Sequence, residues 1–162
     1  MSNQKPWHVI YTSAHNEKKV FQQLEQLELE AYLPLYITTR VWSDRKKKVE
    51  LPLFTSYVFV RSDERDYRPI IETSGVSHFV YYCGKPAVIS DKEIEAIKKF
   101  LSLSEGYSVK VEVNSQVIVN KGFMAGKSGR VIKISKDKLI LRIDSLDVII
   151  TAEVDRDNVD LS

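Results

Sequence analysis

A glycine-rich stretch, residues 122–128, has the residue types of a phosphate-binding loop, in which backbone N–H groups and a lysine hold phosphate oxygens. Three residues separate Gly122 from Gly126, whereas that loop needs four, and the sequence after it has the β-branched pattern of a strand. A strand supplies no helix N-terminus for a phosphate. We therefore interpret these glycines as part of a tight turn between strands and not as a nucleotide site.

The residues that could act as acids, bases, nucleophiles or metal ligands are scattered along the sequence. His8, His15 and His78 have no serine, cysteine or carboxylate partner at a spacing typical of catalysis, and Cys83 is the single cysteine. One cysteine and three separated histidines give neither an internal disulfide nor a structural zinc site. The acidic pair at residues 63–64 is typical of surface or helix-capping carboxylates. The sequence predicts no enzymatic activity, no metal and no cofactor.

The composition of the 162-residue chain is that of a globular protein. Apolar residues make up 43% and charged residues 28%, which suffices for one core or two small ones. No stretch approaches the ~20 uncharged apolar residues of a membrane-spanning helix, and the polar N-terminal residues lack the apolar centre of a secretion signal. We expect a cytoplasmic, monomeric protein without membrane contact.

Positive charge is concentrated in one segment. The formal net charge of +2 does not by itself indicate a nucleic-acid-binding protein, but one local run holds five cations: Arg40, Arg45, Lys46, Lys47 and Lys48. Such a run is either a solvated loop or a contact for phosphates, and the run alone leaves both interpretations open.

The apolar pattern predicts an α+β domain over residues 5–103, an antiparallel sheet backed by helices in the order β-α-β-β-α-β-α. We expect Asn16 to cap the first helix. Residues 31–60 predict a long hairpin with a basic tip at residues 43–48. The other predicted strands are 7–12 and 76–82, and the other predicted helices lie around residues 66–72, with Pro69 in the first turn, and after Ser90.

A change of composition predicts a second domain. Residues 104–109 are small and polar, which is typical of a linker. Short β-rich runs then follow one another closely, so we expect a small β-barrel over residues 110–162. The runs are residues 116–120, 129–135, 139–143 and 148–153.

The aromatic residues of the segment 52–60 form an alternating pattern. In a strand, Tyr57 and Phe59 point to one side, and Val58 and Val60 point to the other. If one side faces the helices, the other presents a large aromatic surface. Either both faces are core, which the pattern alone favours, or the aromatic face is a groove for a partner helix.

Several stretches resemble the N-terminal domain of NusG-type transcription elongation factors: residues 7–12, 17–20, 52–60 and 73–80. The second part resembles a KOW domain in its glycine turn and its end, at Gly122, Gly126, residues 129–131 and residues 152–154. Two stretches, residues 54–57 and 75–80, are similar to RfaH. Two others, residues 41–47 and 84–89, are similar to UpxY-like antiterminators of capsular-polysaccharide operons.

The resemblance implies a transcription antitermination and elongation factor without chemistry of its own. Its N-terminal domain would bind the clamp coiled coil of RNA polymerase and suppress pausing and termination. The KOW domain would recruit a small-subunit ribosomal protein or a termination factor. By position, the residues that line the polymerase-binding concavity would be Tyr11, Phe54, Tyr57, Phe59, Phe79 and Tyr82.

The resemblance to RfaH also implies contact with the non-template DNA strand near the first helix. The matching positions are Ser13, Asn16, Lys19, Gln23 and Ser74, and Lys18 adds a further cation. Because Ser13 and Ser74 replace basic residues of RfaH, we expect a different DNA element to be read. The predicted nucleic-acid-binding residues are Asn16, Lys18, Lys19, Gln23, Arg45, Lys46, Lys47 and Lys48.

Two other functions remain open at the level of sequence. A general elongation factor would act on all operons, whereas a KOW protein that binds RNA or the ribosome would act in translation. The second alternative leaves the aromatic groove without a role.

Overall fold

The structure, a computed structural model, describes residues 5–42, 45–82, 84–105, 107–112, 131–146 and 148–153. The chain divides into two units, the first made of residues 1–34 and 54–91 and the second of residues 35–53 and 92–162. In chain order the elements are β1 (Trp7–Thr12), α1 (Glu17–Gln26), β2 (Ala31–Tyr32), β3 (Leu35–Trp42), β4 (Arg45–Pro52), β5 (Tyr57–Arg61), α2 (Glu64–Ile71), β6 (Val76–Phe79), β7 (Tyr81–Tyr82), β8 (Lys85–Pro86), β9 (Val88–Ile89), α3 (Asp91–Leu103), β10 (Ser108–Glu112), β11 (Val131–Ser135), β12 (Lys138–Ile143) and β13 (Val148–Glu153).

Strand β1 is the centre of the first unit's sheet. Its aromatic and β-branched residues suit a buried strand, and all of them except Tyr11 are buried. The sheet has the order β2-β5-β1-β6, with β9 also paired to β1, and these pairs are antiparallel. The predicted α+β class is confirmed.

Helices α1 and α2 bury their apolar residues against one face of this sheet. Val20 and Leu24, four residues apart on α1, lie on one side of the helix and join the core. The remaining buried members of this core come from β1, β5, α2 and the end of β6: Ile10, Val58, Val60, Ile70 and Phe79.

The starts of the two helices differ from the sequence prediction. Asn16 precedes α1, but its side chain does not cap the helix; its Nδ2 donates to Ser13 Oγ instead (2.6 Å). In α2, Asp63 and Asp66 form a reciprocal capping box that starts the helix at Glu64. Pro69 therefore lies inside the helix and not in its first turn, which leaves α2 short.

The second unit contains a two-stranded ribbon, β3 and β4, paired in continuous register from Leu35↔Pro52 to Trp42↔Arg45. Two predictions need correction here. Residues 45–48 belong to β4 and not to the hairpin tip, and the predicted strand 49–60 is broken by a turn that ends at Ser56. The break occurs because Ser56 has a φ of 68°, a left-handed conformation that a strand cannot accommodate.

The second unit also contains a four-stranded antiparallel sheet of order β10-β13-β12-β11. Its buried residues come mainly from β12 and β13, among them Leu141, Ile143 and Ile150. Strand β10 begins at Ser108, inside the predicted linker 104–109. The predicted strand 116–120 and the glycine turn around Gly122 and Gly126 lie outside the described residues, so closure into a KOW barrel stays a prediction, as do the domain bounds.

Candidate polymerase-binding and nucleic-acid-binding surfaces

Strand pairing aligns three aromatic side chains across the first unit's sheet. Tyr11 of β1 is opposite Tyr57 of β5 on one side and His78 of β6 on the other. Its ring makes an edge contact with Tyr57 (5.9 Å between centroids) and stacks on His78 (5.2 Å). Further ring contacts extend this set into a continuous row, here called the aromatic row: His78, Tyr11, Tyr57, Phe54, Phe59 and Tyr32.

The aromatic row runs from the surface into the core. Tyr11 is 40% exposed and His78 is also exposed, whereas Tyr57 is half-buried. Phe54 is 4% exposed and Phe59 is fully buried. The prediction that Phe54 and Phe59 present their rings to a partner is therefore wrong for the structure as it stands, because the rings of the row pack on one another. His78, Tyr11 and the half-buried Tyr57 form the exposed end of the row, and Tyr32 at its other end is half-buried.

Phe79 lies on the opposite face of the sheet. It pairs with Ile10 and is 2% exposed, and its ring packs against Tyr67 (4.8 Å) and His8 (6.0 Å). Neighbouring residues of a strand point to opposite faces, so the register that brings His78 to Tyr11 turns Phe79 into the core. The expectation that Phe79 lines the concavity is corrected on this ground. The side chain of Tyr82 lies outside the described part.

His78 is the member of this surface that sequence analysis missed. The signal that identifies it is the strand register, because the residue directly opposite Tyr11 must share its face.

A buried carboxylate supports the turn between Phe54 and Tyr57. Glu17, in the first turn of α1, is buried, and its Oε2 accepts a hydrogen bond from the N–H of Ser56 (2.8 Å). The carbonyl of Ser56 in turn accepts from the N–H of Thr12 (2.7 Å). These two bonds hold Ser56 at its positive φ and so fix where Tyr57 enters β5.

Replacement of Glu17 by alanine should lower the free energy of unfolding by about 2 kcal/mol, because a buried backbone N–H loses a charged acceptor. Urea unfolding of the full chain measures this change. Glu25→Ala, an exposed position on the same helix, is the matched control and should stay within about 0.5 kcal/mol of wild type. Equal midpoints for the two variants would contradict the role given to Glu17.

The hydroxyl of Tyr57 is held in its neutral form. Burial, and then the charge of the neighbouring Tyr11, raises the pKa of Tyr57 above its ordinary value of 10.0. A raised pKa in the folded state means that ionisation favours unfolding. The contribution to stability is thus fully present below pH 10 and is lost as the pH rises through the folded-state pKa.

The Tyr57→Phe variant should accordingly lose less stability than wild type on going from about pH 9 to about pH 11. The measurement is the urea midpoint of both proteins at each pH. Between neutral pH and about pH 9 the difference between them should stay constant, because the Tyr57 hydroxyl keeps its proton there. A difference that does not change up to about pH 11 would contradict the raised pKa.

Near α1 the structure gathers the positions that match RfaH together with Lys18, here called the α1 polar surface: Ser13, Asn16, Lys18, Lys19, Gln23 and Ser74. Gln23 Nε2 donates to the Ser74 carbonyl (2.9 Å) and to the Lys19 carbonyl (3.3 Å). Ser13 Oγ donates to the Gly75 carbonyl (3.4 Å). Lys18 and Lys19 are exposed. The amides thus hold the loop of Ser74 against α1, and the two ammonium groups are the parts available to a phosphate.

The basic run forms a second surface, on the ribbon. Residues 45–48 are exposed along β4, and their register partners are residues 39–42 of β3. The structure therefore places the predicted nucleic-acid-binding residues in two separate groups, one in each unit.

No metal-ligand grouping occurs in the described ranges. Among these residues, no three side chains of His, Cys, Asp or Glu come together as metal ligands. His8 is buried, with Nδ1 donating to the Ala87 carbonyl (3.0 Å) and Nε2 3.2 Å from the Tyr67 hydroxyl, so its ring has a structural setting. Within the described part, no helix has the length and apolar character needed to cross a membrane.

Comparisons with known proteins give two findings. A family model described as "Transcription termination factor nusG" matches residues 5–98, more than half of the chain. A solved structure concerned with domain interaction in Thermotoga maritima NusG is similar at 18% identity, with a TM-score of 0.43, over 93% of this chain and 97% of that one.

Proposed function

The chain belongs to the NusG family, whose members are non-enzymatic transcription factors that interact with RNA polymerase, and on that premise we propose that it is an antitermination and elongation factor. It binds the clamp coiled coil of RNA polymerase through the exposed end of the aromatic row. By keeping the clamp closed it suppresses pausing and termination.

The observation that carries this proposal is the exposure of Tyr11. Its ring is 40% exposed although it lies in the central strand of a sheet whose other β1 residues are buried. Two flanking rings, Tyr57 and His78, hold it in place. A rigid aromatic side chain with a polar tip is the type of residue on which binding energy concentrates in protein interfaces. An apolar helix face of the polymerase clamp is a suitable partner.

Two basic surfaces support contact with nucleic acid. Lys18 and Lys19 of the α1 polar surface are exposed, and so are the four cations of β4. Phosphate contacts of this kind position a protein on DNA without reading its sequence. The amide of the half-buried Asn16 and the hydroxyl of the exposed Ser13, which are hydrogen-bonded to each other, can add base contacts to the non-template strand. The resemblance to UpxY-like proteins favours recruitment to specific polysaccharide operons over general action.

The second domain, proposed as a KOW domain over residues 110–162, recruits a further partner. A small-subunit ribosomal protein or a termination factor is the partner that the family resemblance implies. The β10-β13-β12-β11 sheet supplies the scaffold for such a contact.

A transcription assay with purified components tests the proposal. Addition of the full chain to RNA polymerase transcribing through an intrinsic terminator should raise read-through and shorten pauses. Chromosomal occupancy mapped alongside polymerase should be confined to one or a few operons, whereas genome-wide occupancy would indicate a general factor. Co-sedimentation with ribosomes that persists without polymerase, together with unchanged read-through, would favour the translational alternative and contradict the proposal.

A further inference from the structure

The β3–β4 ribbon exposes cations on both of its faces. Residues 45–48 are consecutive strand residues, so their side chains alternate between the faces. Arg45 and Lys47 lie on one face, and Lys46 and Lys48 lie on the other. All four residues are exposed, and all lie toward the end of the ribbon at which Trp42 pairs with Arg45.

Little nearby charge neutralises this end of the ribbon. Residues 40–50 hold five cations against Asp44 and Glu50, a net charge of +3, which exceeds the +2 of the whole chain. Among the residues that the structure describes, none of the four β4 cations takes part in an ion pair. A polyanion that releases counterions on binding is the ligand that such a cluster favours.

Because the cations lie on both faces of the ribbon, the shape of a polyanion determines whether it can contact all of them. A flat protein surface or a single nucleic-acid strand contacts one face of a ribbon, whereas a groove has phosphates on both sides. A ribbon with its side chains is about 10 Å thick. The major groove of B-DNA, about 12 Å wide, admits it, and the minor groove, about 6 Å wide, does not. The deep, narrow major groove of duplex RNA also excludes it.

The length of the basic segment matches the same groove. At about 3.4 Å per residue, the segment from Arg45 to Lys48 spans about 10 Å along β4. The major groove is about 8.5 Å deep. Because the segment is about as long as the groove is deep, a ribbon that enters end-on keeps each of the four cations within the reach of a lysine or arginine side chain from the phosphates that border the groove.

We propose that the end of the β3–β4 ribbon enters the major groove of duplex DNA. Arg45 and Lys47 contact the phosphates of one strand, and Lys46 and Lys48 contact those of the other. This inference rests on the proposed function, in which the chain acts at a polymerase on DNA, and it specifies duplex DNA as the ligand of the second basic surface.

The test is a set of fluorescence-anisotropy titrations of the full chain with three labelled nucleic acids. These are a DNA duplex of about 20 base pairs, the matching RNA duplex and the DNA single strand, each measured at about 50 to 300 mM salt. Two variants each remove one face: Arg45→Gln/Lys47→Gln and Lys46→Gln/Lys48→Gln. The matched control, Lys92→Gln/Lys99→Gln, removes two exposed cations of α3. Urea midpoints close to wild type establish that each variant is folded.

Wild type should bind the DNA duplex more tightly than either other nucleic acid. With four phosphate contacts, its plot of log affinity against log salt should have a slope of about −3.6, and each one-face variant should have about −1.8. At about 0.1 M salt each one-face variant should bind the DNA duplex roughly 60-fold more weakly than wild type. The control should keep the wild-type slope.

Three results would overturn the inference. One is loss of binding in only one of the two face variants, which indicates one-sided contact. Another is equal affinity for the single strand or the RNA duplex. The third is loss of polymerase binding in the face variants when DNA is absent, which indicates that the ribbon contacts protein. Failure of the proposed function appears separately, as wild-type chain that binds the duplex but neither binds polymerase nor raises read-through.

Discussion

Phe59→Ala is expected to lower the free energy of unfolding by about 3–5 kcal/mol, the cost of truncating a large ring in a packed core. Phe59 is fully buried, and its ring packs against Phe54 (5.7 Å between centroids) and Tyr32 (6.2 Å). The cavity left by the ring would lie on the face of the sheet where Val9 pairs with Phe59. Chemical denaturation of the full chain, followed by circular dichroism, measures the loss.

Tyr57→Ala is the matched control, because Tyr57 lies two residues earlier on the same face of the same strand but is only half-buried. It should cost clearly less than Phe59→Ala, at about 1–2 kcal/mol. If the free energy of unfolding of Phe59→Ala lies within about 1 kcal/mol of the wild-type value, Phe59 does not lie in the packed core. The result also decides which variants can test binding, since a Phe59→Ala protein that has unfolded cannot report on a surface.

The regular elements of the first unit follow from local sequence. The run of aromatic and β-branched residues in β1 and the spacing of Val20 and Leu24 on α1 each identify an element without knowledge of the rest of the chain. Residues on one face of a strand or one side of a helix must be apolar to join the core. Their spacing is therefore visible within a short stretch of sequence. The predicted β1, α1, α2, β6 and α3 are found in the predicted order. Apart from the short strands, the structure has an additional strand between α1 and α2, because the predicted strand 49–60 is divided into β4 and β5.

The break between β4 and β5 could not be read from the sequence. A left-handed residue is usually glycine, but Ser56 takes this role here. Its conformation is fixed by a hydrogen bond from its own N–H to the carboxylate of Glu17, which is distant in sequence. A tertiary contact of this kind leaves no mark in the local pattern, and the extended run of residues 49–60 indicates one strand.

The composition of the aromatic surface was predicted only in part, for a similar reason. Tyr11 and Tyr57 were identified, but the prediction included Phe79 in place of its neighbour His78. Which of two neighbours faces Tyr11 depends on the pairing of β1 with β6, whose register shifts between Tyr11 and Thr12. An irregularity of one residue exchanges the faces of a strand. The register was therefore needed to choose between the two residues.

Tyr11→Ala should weaken binding of the full chain to RNA polymerase by roughly 30-fold or more, because loss of a central aromatic anchor costs about 2 kcal/mol of binding energy. Its folding stability should fall by only about 1 kcal/mol, the value of its ring contacts with Tyr57 and His78. Titration of labelled chain with purified polymerase measures the first change and urea unfolding the second. His78→Ala should weaken binding less, because it removes the ring on which Tyr11 stacks.

Tyr81→Ala is the chemically matched control, since Tyr81 is 61% exposed and lies outside the aromatic row. Simple loss of exposed aromatic area would weaken binding more in Tyr81→Ala than in Tyr11→Ala, whereas an anchor held between two rings gives the opposite order. Terminator read-through should follow binding in each variant. If Tyr11→Ala binds polymerase as wild type does while remaining folded, the exposed end of the aromatic row does not dock on the clamp. The ring pairs of the row would then serve only to stiffen the sheet at the junction of β1, β5 and β6.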